Sequence, residues 1–225
     1  MNLHQDLDGF CRTRDVEKDE IRQYKKMKIA SSSSYVDVKT GEVYWVKPSS
    51  GQRFIGDFYD VLKRGPLPSD KITRVAGIPH FVDDASGPRQ VVTHLSPTAD
   101  RSGFAFDSGN YPTNNKTYIG TVSIDGQKPK LWTVLDRRYN HAQMHPVHND
   151  VMLIAQDYFK DQTGQYGAPN IRVPIDNRMW IVYADGSANP VFPKPNNIYH
   201  EWWDASGKYL WYIDKSGNRG GKGVC

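Results

Sequence analysis

The chain has 225 residues, 38% hydrophobic and 24% charged, with a formal net charge of +4. That length suits one domain or one large piece of a repeat protein. No apolar run approaches the roughly 20 residues of a membrane-spanning helix, and the mild positive charge lacks the clustered Lys/Arg footprint of a nucleic-acid binder, so neither partner is expected.

The N-terminus, MNLHQDLDGFCRTRDVEKDE, is polar and has no apolar core of a secretory signal. The compartment is expected to be cytoplasm or periplasm, because Met1 is not expected to be the native start. Residues Leu7 to Lys28 are read as a short amphipathic helix with Val16, Ile21 and Tyr24 on one side. This makes residues 1–28 an N-terminal extension. The basic cluster Lys25, Lys26 and Lys28 reads as a solvated face. Cys11 and Cys225 lie far apart and form neither a disulfide framework nor a metal-binding spacing.

From Ile29 the pattern changes. Ser34 to Val46 alternates with period two around a turn at Lys39-Thr40-Gly41, the pattern of half-buried antiparallel strands. An apolar stretch runs from Phe54 to Leu62, and a strand is expected over Arg74 to Phe81. From Val91 a repeat emerges. Its copies are VVTHLSPTADRSGFAFDSG, YNHAQMHPVHNDVMLIAQD and YHEWWDASGKYLWYIDKSG. Aligning His94, His141 and His200 gives spacings of 47 and 59 residues. Each copy has a strand led by histidine, a turn, and an apolar strand. The first two copies continue into a hairpin closed by Asp125-Gly126 or Asp185-Gly186. The six Trp, thirteen Tyr and numerous turn residues fit short strands joined by turns.

Four short antiparallel strands per unit, at a period of about 40 to 50 residues, point to an all-β β-propeller over residues 29–225. About four to five blades' worth of chain is present, so an incomplete ring is expected, as in a fragment. The Gly- and Gln-rich segment Tyr158 to Ile175 accounts for the larger spacing. It is expected to project from the rim that carries the histidines.

Equivalent positions of successive blades converge on one rim. There His141 can serve as a general base, since imidazole titrates near neutrality. His200, followed by Glu201, is a candidate divalent-metal ligand with carboxylate support. Arg178 and Lys116 each open a strand that precedes a hairpin, and either could neutralise a substrate carboxylate. His145 and His148 are not read as metal ligands. Pro146 breaks the strand between them, and the spacing fits no helical zinc motif.

His141, the strand Asp176-Asn-Arg-Met-Trp-Ile-Val-Tyr-Ala-Asp-Gly-Ser187 and the motif Tyr199-His-Glu-Trp-Trp-Asp-Ala-Ser-Gly-Lys208 together resemble oligogalacturonate lyase, the propeller-type pectin-degrading family. The resemblance covers about Asn140 to Gly217. It implies a seven-bladed propeller and β-elimination of short oligogalacturonates to unsaturated uronides. It also implies a manganese-type divalent ion (Mn²⁺) held by histidines and a glutamine. Carried over, His141 matches the base and His200 the first metal ligand, and a family arginine falls near Lys116. The remaining ligands belong to a Gln-x-x-His-x-His motif expected beyond residue 225. Two other readings compete. One is a non-catalytic propeller that binds or scaffolds, or a lyase for another acidic glycan. The other is a propeller hydrolase, against which the absence of a G-x-S-x-G elbow weighs.

Overall fold

The computed structural model describes residues 2–5, 11–15, 20–24, 34–48, 57–65, 71–79, 90–92, 94–110, 116–136, 139–156, 177–192 and 198–214. The described residues are strands and turns, as the period-two patterning requires. The strands form five consecutive antiparallel sheets.

The first sheet holds β1 (Asn2–Gln5), β2 (Cys11–Asp15) and β3 (Glu20–Tyr24), paired in that order. This corrects the helix expected over Leu7 to Lys28 at its described residues, Cys11–Asp15 and Glu20–Tyr24. Apolar residues are too sparse there to define a helical stripe. Pairing across three strands satisfies the backbone N–H and C=O groups instead. The basic cluster at 25–28, the segment 158–175 and Cys225 lie outside the described residues.

Blade 1 holds β4 (Tyr35–Val36), β5 (Val43–Pro48), β6 (Asp57–Arg64) and β7 (Ile72–Pro79). Blade 2 begins with an inner strand broken into β8 (Gln90–Val92) and β9 (Ser96–Pro97). It continues with β10 (Gly103–Asn110), β11 (Thr117–Ser123) and β12 (Lys130–Leu135). Blade 3 holds β13 (Tyr139–Met144), β14 (Val151–Gln156), β15 (Met179–Tyr183) and β16 (Ala188–Pro190). Blade 4 is described by β17 (Ile198–Trp203) and β18 (Leu210–Asp214). Each sheet runs in sequence order from its inner strand outward, the meander of a propeller blade. Five such sheets fit part of a propeller.

The turn between the first two strands repeats with one hydrogen bond in common. Asp37 N donates to Glu42 O, Thr98 N to Gly103 O, His145 N to Val151 O, and Asp204 N to Tyr209 O. The side chain at that position closes the turn. Asp37 Oδ1 accepts from Lys39 N, Thr98 Oγ1 from Gly103 N, and Asp204 Oδ1 from Tyr209 N. In blade 3 the imidazole does this work, with His145 Nδ1 accepting from Val147 N and His148 N at 3.1 Å each. Nδ1 therefore carries the lone pair, and Nε2–H donates to Gly207 O in blade 4 at 3.0 Å. His145 is a turn cap and an inter-blade tie. The hairpin turns at Asp125-Gly126 and Asp185-Gly186 place both glycines at positive φ, +82° and +93°.

Alternation along the second strand sends one set of side chains to the preceding blade and the other to the next. Tyr44 and Val46 meet Phe104 and Phe106 between blades 1 and 2. Ala105 meets Met152 and Ile154 between blades 2 and 3. Leu153 packs with Leu210 and Tyr212 between blades 3 and 4. The corresponding outward face of blade 4 carries Trp211 and Ile213, both exposed.

Candidate functional site

The inner strands of blades 2, 3 and 4 are irregular at one shared point. Counting four residues back from the capping position of each turn lands on His94, His141 and His200. In blade 2 the inner strand breaks there, between β8 and β9. In blades 3 and 4 the ladder shifts register, between Asn140 and Gln143 and between Tyr199 and Trp202. These are β-bulges. Both bulged histidines sit in the left-handed region, with φ of +58° at His141 and +54° at His200. A non-glycine residue costs roughly 1–2 kcal/mol there. The histidines thus interrupt their strands rather than leading them, and His141 and His200 share the same backbone conformation.

Around His141 the bulge brings together residues from three blades. Its Nδ1 lies 3.2 Å from Glu201 Oε1 of blade 4. The Glu201 side chain is fully buried, and Arg178, at the head of β15, grips it with both arms of the guanidinium. Nε donates to Oε2 at 2.8 Å and Nη2 to Oε1 at 3.2 Å. Arg178 also lies over the Tyr199 ring, 5.5 Å from its centroid. Gln143 Nε2 donates to Glu201 O at 2.8 Å and joins the two inner strands. From blade 2, the His94 ring packs edge-on against that of His141, with centroids 4.5 Å apart. Asp107, also from blade 2, is buried, and its Oδ2 accepts from Ala142 N at 2.9 Å.

The electrostatics follow from this geometry. Burial alone would push the Glu201 carboxyl up. Hydrogen bonds and charge from His141 and Arg178 outweigh it and hold the group down at about 2. Glu201 is therefore an anion that only accepts hydrogen bonds, so the Nδ1 of His141 must donate to it. In the neutral imidazole the lone pair then belongs to Nε2, on a side chain that keeps 35% of its surface exposed. Burial pushes His94 below the ordinary histidine range, against the pull of the Asp107 carboxylate, so it stays neutral beside His141.

The expected site residues are thus only partly assembled. His141 and Arg178 meet, but through Glu201. Arg178 is buried, and the bidentate face expected for a substrate carboxylate is taken up by that glutamate. Glu201 directs its carboxylate to His141 and Arg178 rather than to His200. His200 itself is exposed. Lys116 is exposed just ahead of β11, on the outer half of blade 2 at the same rim. Among the described residues no three or more His, Cys, Asp or Glu side chains come together to hold a metal.

The repeat itself held a signal for Glu201. Its equivalents one and two blades earlier are Ala142 and Leu95, both buried and apolar. A carboxylate at a core position of a repeat is costly unless it is paired. Asp107 shows the same mismatch, standing where blades 1 and 3 have Val46 and Ala155.

No protein-family model matches the sequence, and no curated protein matches it significantly. Solved structures do. The chain is similar to an oligogalacturonate lyase in complex with manganese, with TM-score 0.65, 14% identity, and coverage of 94% of this chain and 55% of that one. The likeness is one of fold. An oligogalacturonate lyase from Vibrio parahaemolyticus gives TM-score 0.63 and 13% identity, over 92% of this chain and 53% of that one. TolB from Acinetobacter baumannii gives 0.56 and 12%, over 93% and 44%. The chain thus spans about half the length of the lyases it matches. The chain carries the blades of a β-propeller, the fold it shares with these structures.

Proposed function

We propose that this chain is part of a lyase that cleaves short acidic oligosaccharides, oligogalacturonates foremost, by β-elimination with His141 as the base. The observation that carries the reading is the buried Glu201 carboxylate. It stands at a position that is apolar in the preceding blades and is spent on His141 and Arg178. A buried ion pair is a poor way to gain stability, so its retention beside a half-exposed histidine favours a role in orienting that histidine.

In a uronide the proton at C5 is made acidic by the adjacent carboxyl group once its charge is neutralised. Nε2 of His141 takes that proton, and the electron pair forms the C4–C5 double bond. The C4–O4 bond breaks, and the departing oxygen takes a proton from water. Glu201 holds the ring in the tautomer this step needs and stabilises the imidazolium it produces. Arg178 keeps Glu201 ionised. A divalent cation would supply neutralisation of the uronate carboxylate. The manganese in one similar lyase makes Mn²⁺ the ion to test, and His200 is this chain's candidate to contact it.

The test is the ultraviolet absorbance of the unsaturated product, assayed in the full reading frame that encodes the chain. Di- and trigalacturonate are supplied with and without Mn²⁺. The absorbance should rise, and His141→Ala should slow it by roughly 10²- to 10⁴-fold. No rise on galacturonate, alginate or glycosaminoglycan oligomers overturns the lyase and leaves a binding propeller.

A further inference from the structure

Asp107 is a buried carboxylate in a blade interface, and its place in the repeat does not call for one. The equivalent residues are Val46 in blade 1 and Ala155 in blade 3, both fully buried and apolar. Its Oδ2 reaches across to blade 3 and accepts the N–H of Ala142 at 2.9 Å. Ala142 is the residue that follows His141 inside the bulge, where the β13–β14 ladder skips from Asn140 to Gln143. The same strand is tied to blade 2 a second time, two residues on, where Ser96 Oγ accepts from Met144 N at 2.9 Å. The His141 backbone is strained, with φ of +58°. A left-handed residue persists only where its surroundings over-determine it.

His141 is therefore held from two sides. Glu201 of blade 4 holds the imidazole, and Asp107 of blade 2 holds the peptide group that follows it. Taking the reading of His141 as the base, we propose that Asp107 is a positioning residue for it. It clamps the bulge through Ala142 N–H and so keeps the His141 ring on Glu201. A buried hydrogen bond from a backbone N–H to a side chain of the neighbouring blade suits a clamp on a strained turn. The nearby Asp107 charge also acts on His94, the other ring that packs against His141.

Asp107→Val puts into blade 2 the residue type of blade 1, and Asp107→Asn keeps an acceptor oxygen in place. Nitrogen-15 NMR of the His141 ring reads its tautomer without any substrate. Steady-state kinetics on trigalacturonate read catalysis. In the parent protein the proton should sit on Nδ1. In Asp107→Val that preference should be lost, and kcat should fall roughly ten- to a hundred-fold with KM nearly constant. Asp107→Asn should recover most of both. Should Asp107→Val not fold, Asp107→Ser removes the reach to Ala142 with a polar side chain and carries the same expectation. An unchanged His141 tautomer and unchanged kcat in the valine or serine variant overturn the proposal, while the lyase reading stands on the parent's activity. A tautomer shifted in the variant, beside a parent that cleaves no uronide, keeps the clamp and removes the lyase.

Discussion

The bulges at His141 and His200 share a backbone and differ in everything around it. Both have the same register shift, and their φ values agree to within a few degrees. His141 is half-buried, with Glu201 on its ring, Asp107 on the next peptide and His94 against its edge. His200 is exposed. The repeat sets where a histidine stands, and the flanking blades decide what it can do. A proton-transfer group needs a fixed tautomer and a chosen charge environment, and a single blade supplies neither.

The largest expected effect comes from removing what distinguishes the two sites. Glu201→Leu places in blade 4 the residue type found at Leu95, but it leaves Arg178 charged and buried with its carboxylate gone. Loss of one partner of such a pair costs about 3–5 kcal/mol, so the urea midpoint should fall steeply. Adding Arg178→Met should restore most of that stability, because two apolar side chains then fill the interface as they do between blades 1 and 2. Activity should stay low in both variants. If the double variant turns over substrate like the parent, the His141–Glu201–Arg178 cluster is structural and the contrast between the histidines loses its meaning.

The backbone that the two bulges share is tested by glycine. At His200, glycine relieves a left-handed residue whose side chain is exposed, so His200→Gly should raise stability by about 1 kcal/mol. At His141 the same relief is offset by the lost contact to Glu201, and His141→Gly should gain less or lose. Equal gains at the two sites, in thermal or urea unfolding, would mean that Glu201 does not hold the His141 ring.

The smallest effect is a change of slope with pH. His94 is pushed below the ordinary histidine range by burial, with the Asp107, Glu201 and His141 charges acting around it. The folded protein therefore binds fewer protons than the unfolded chain once pH drops below the ordinary value of about 6.5. Stability on this account is whole above that pH and falls as pH decreases through it toward the lowered folded value. His94→Asn should flatten the acid side of the curve and leave the neutral side unchanged. His141 is present in both proteins, so the difference reads His94 together with its contact to His141. Urea midpoints measured across that range decide it, and parallel curves would show that His94 is not held neutral.

Much of this molecule is readable from local pattern. Alternation from Ser34 to Val46 predicts β4 and β5 around Gly41, which takes φ +71°. Asp125-Gly126 and Asp185-Gly186 close their hairpins as their turn chemistry requires. The register of His94, His141 and His200 follows from aligning the copies. The helix expected before Lys28 is wrong where residues are described, because a few scattered apolar residues cannot outweigh a paired sheet. The sequence points Arg178 to a substrate carboxylate and Glu201 to the support of a metal ligand, and hides their pairing with each other, since nothing local shows that a side chain from β17 and one from the head of β15 face the same interface.

Sequence by itself determined the strand pattern from Ser34 onward, the turns and the repeat that aligns His94, His141 and His200. These depend on residues a few positions apart, whose steric and hydrogen-bonding preferences act along the chain. Only the tertiary structure decided that Glu201 serves His141 rather than His200, that Arg178 is committed to Glu201, and that Asp107 reaches the His141 bulge. Those contacts span 23 to 60 residues and cross blade boundaries. They exist because stacking two sheets chooses which faces meet, and a buried charge must then find its partner across that interface.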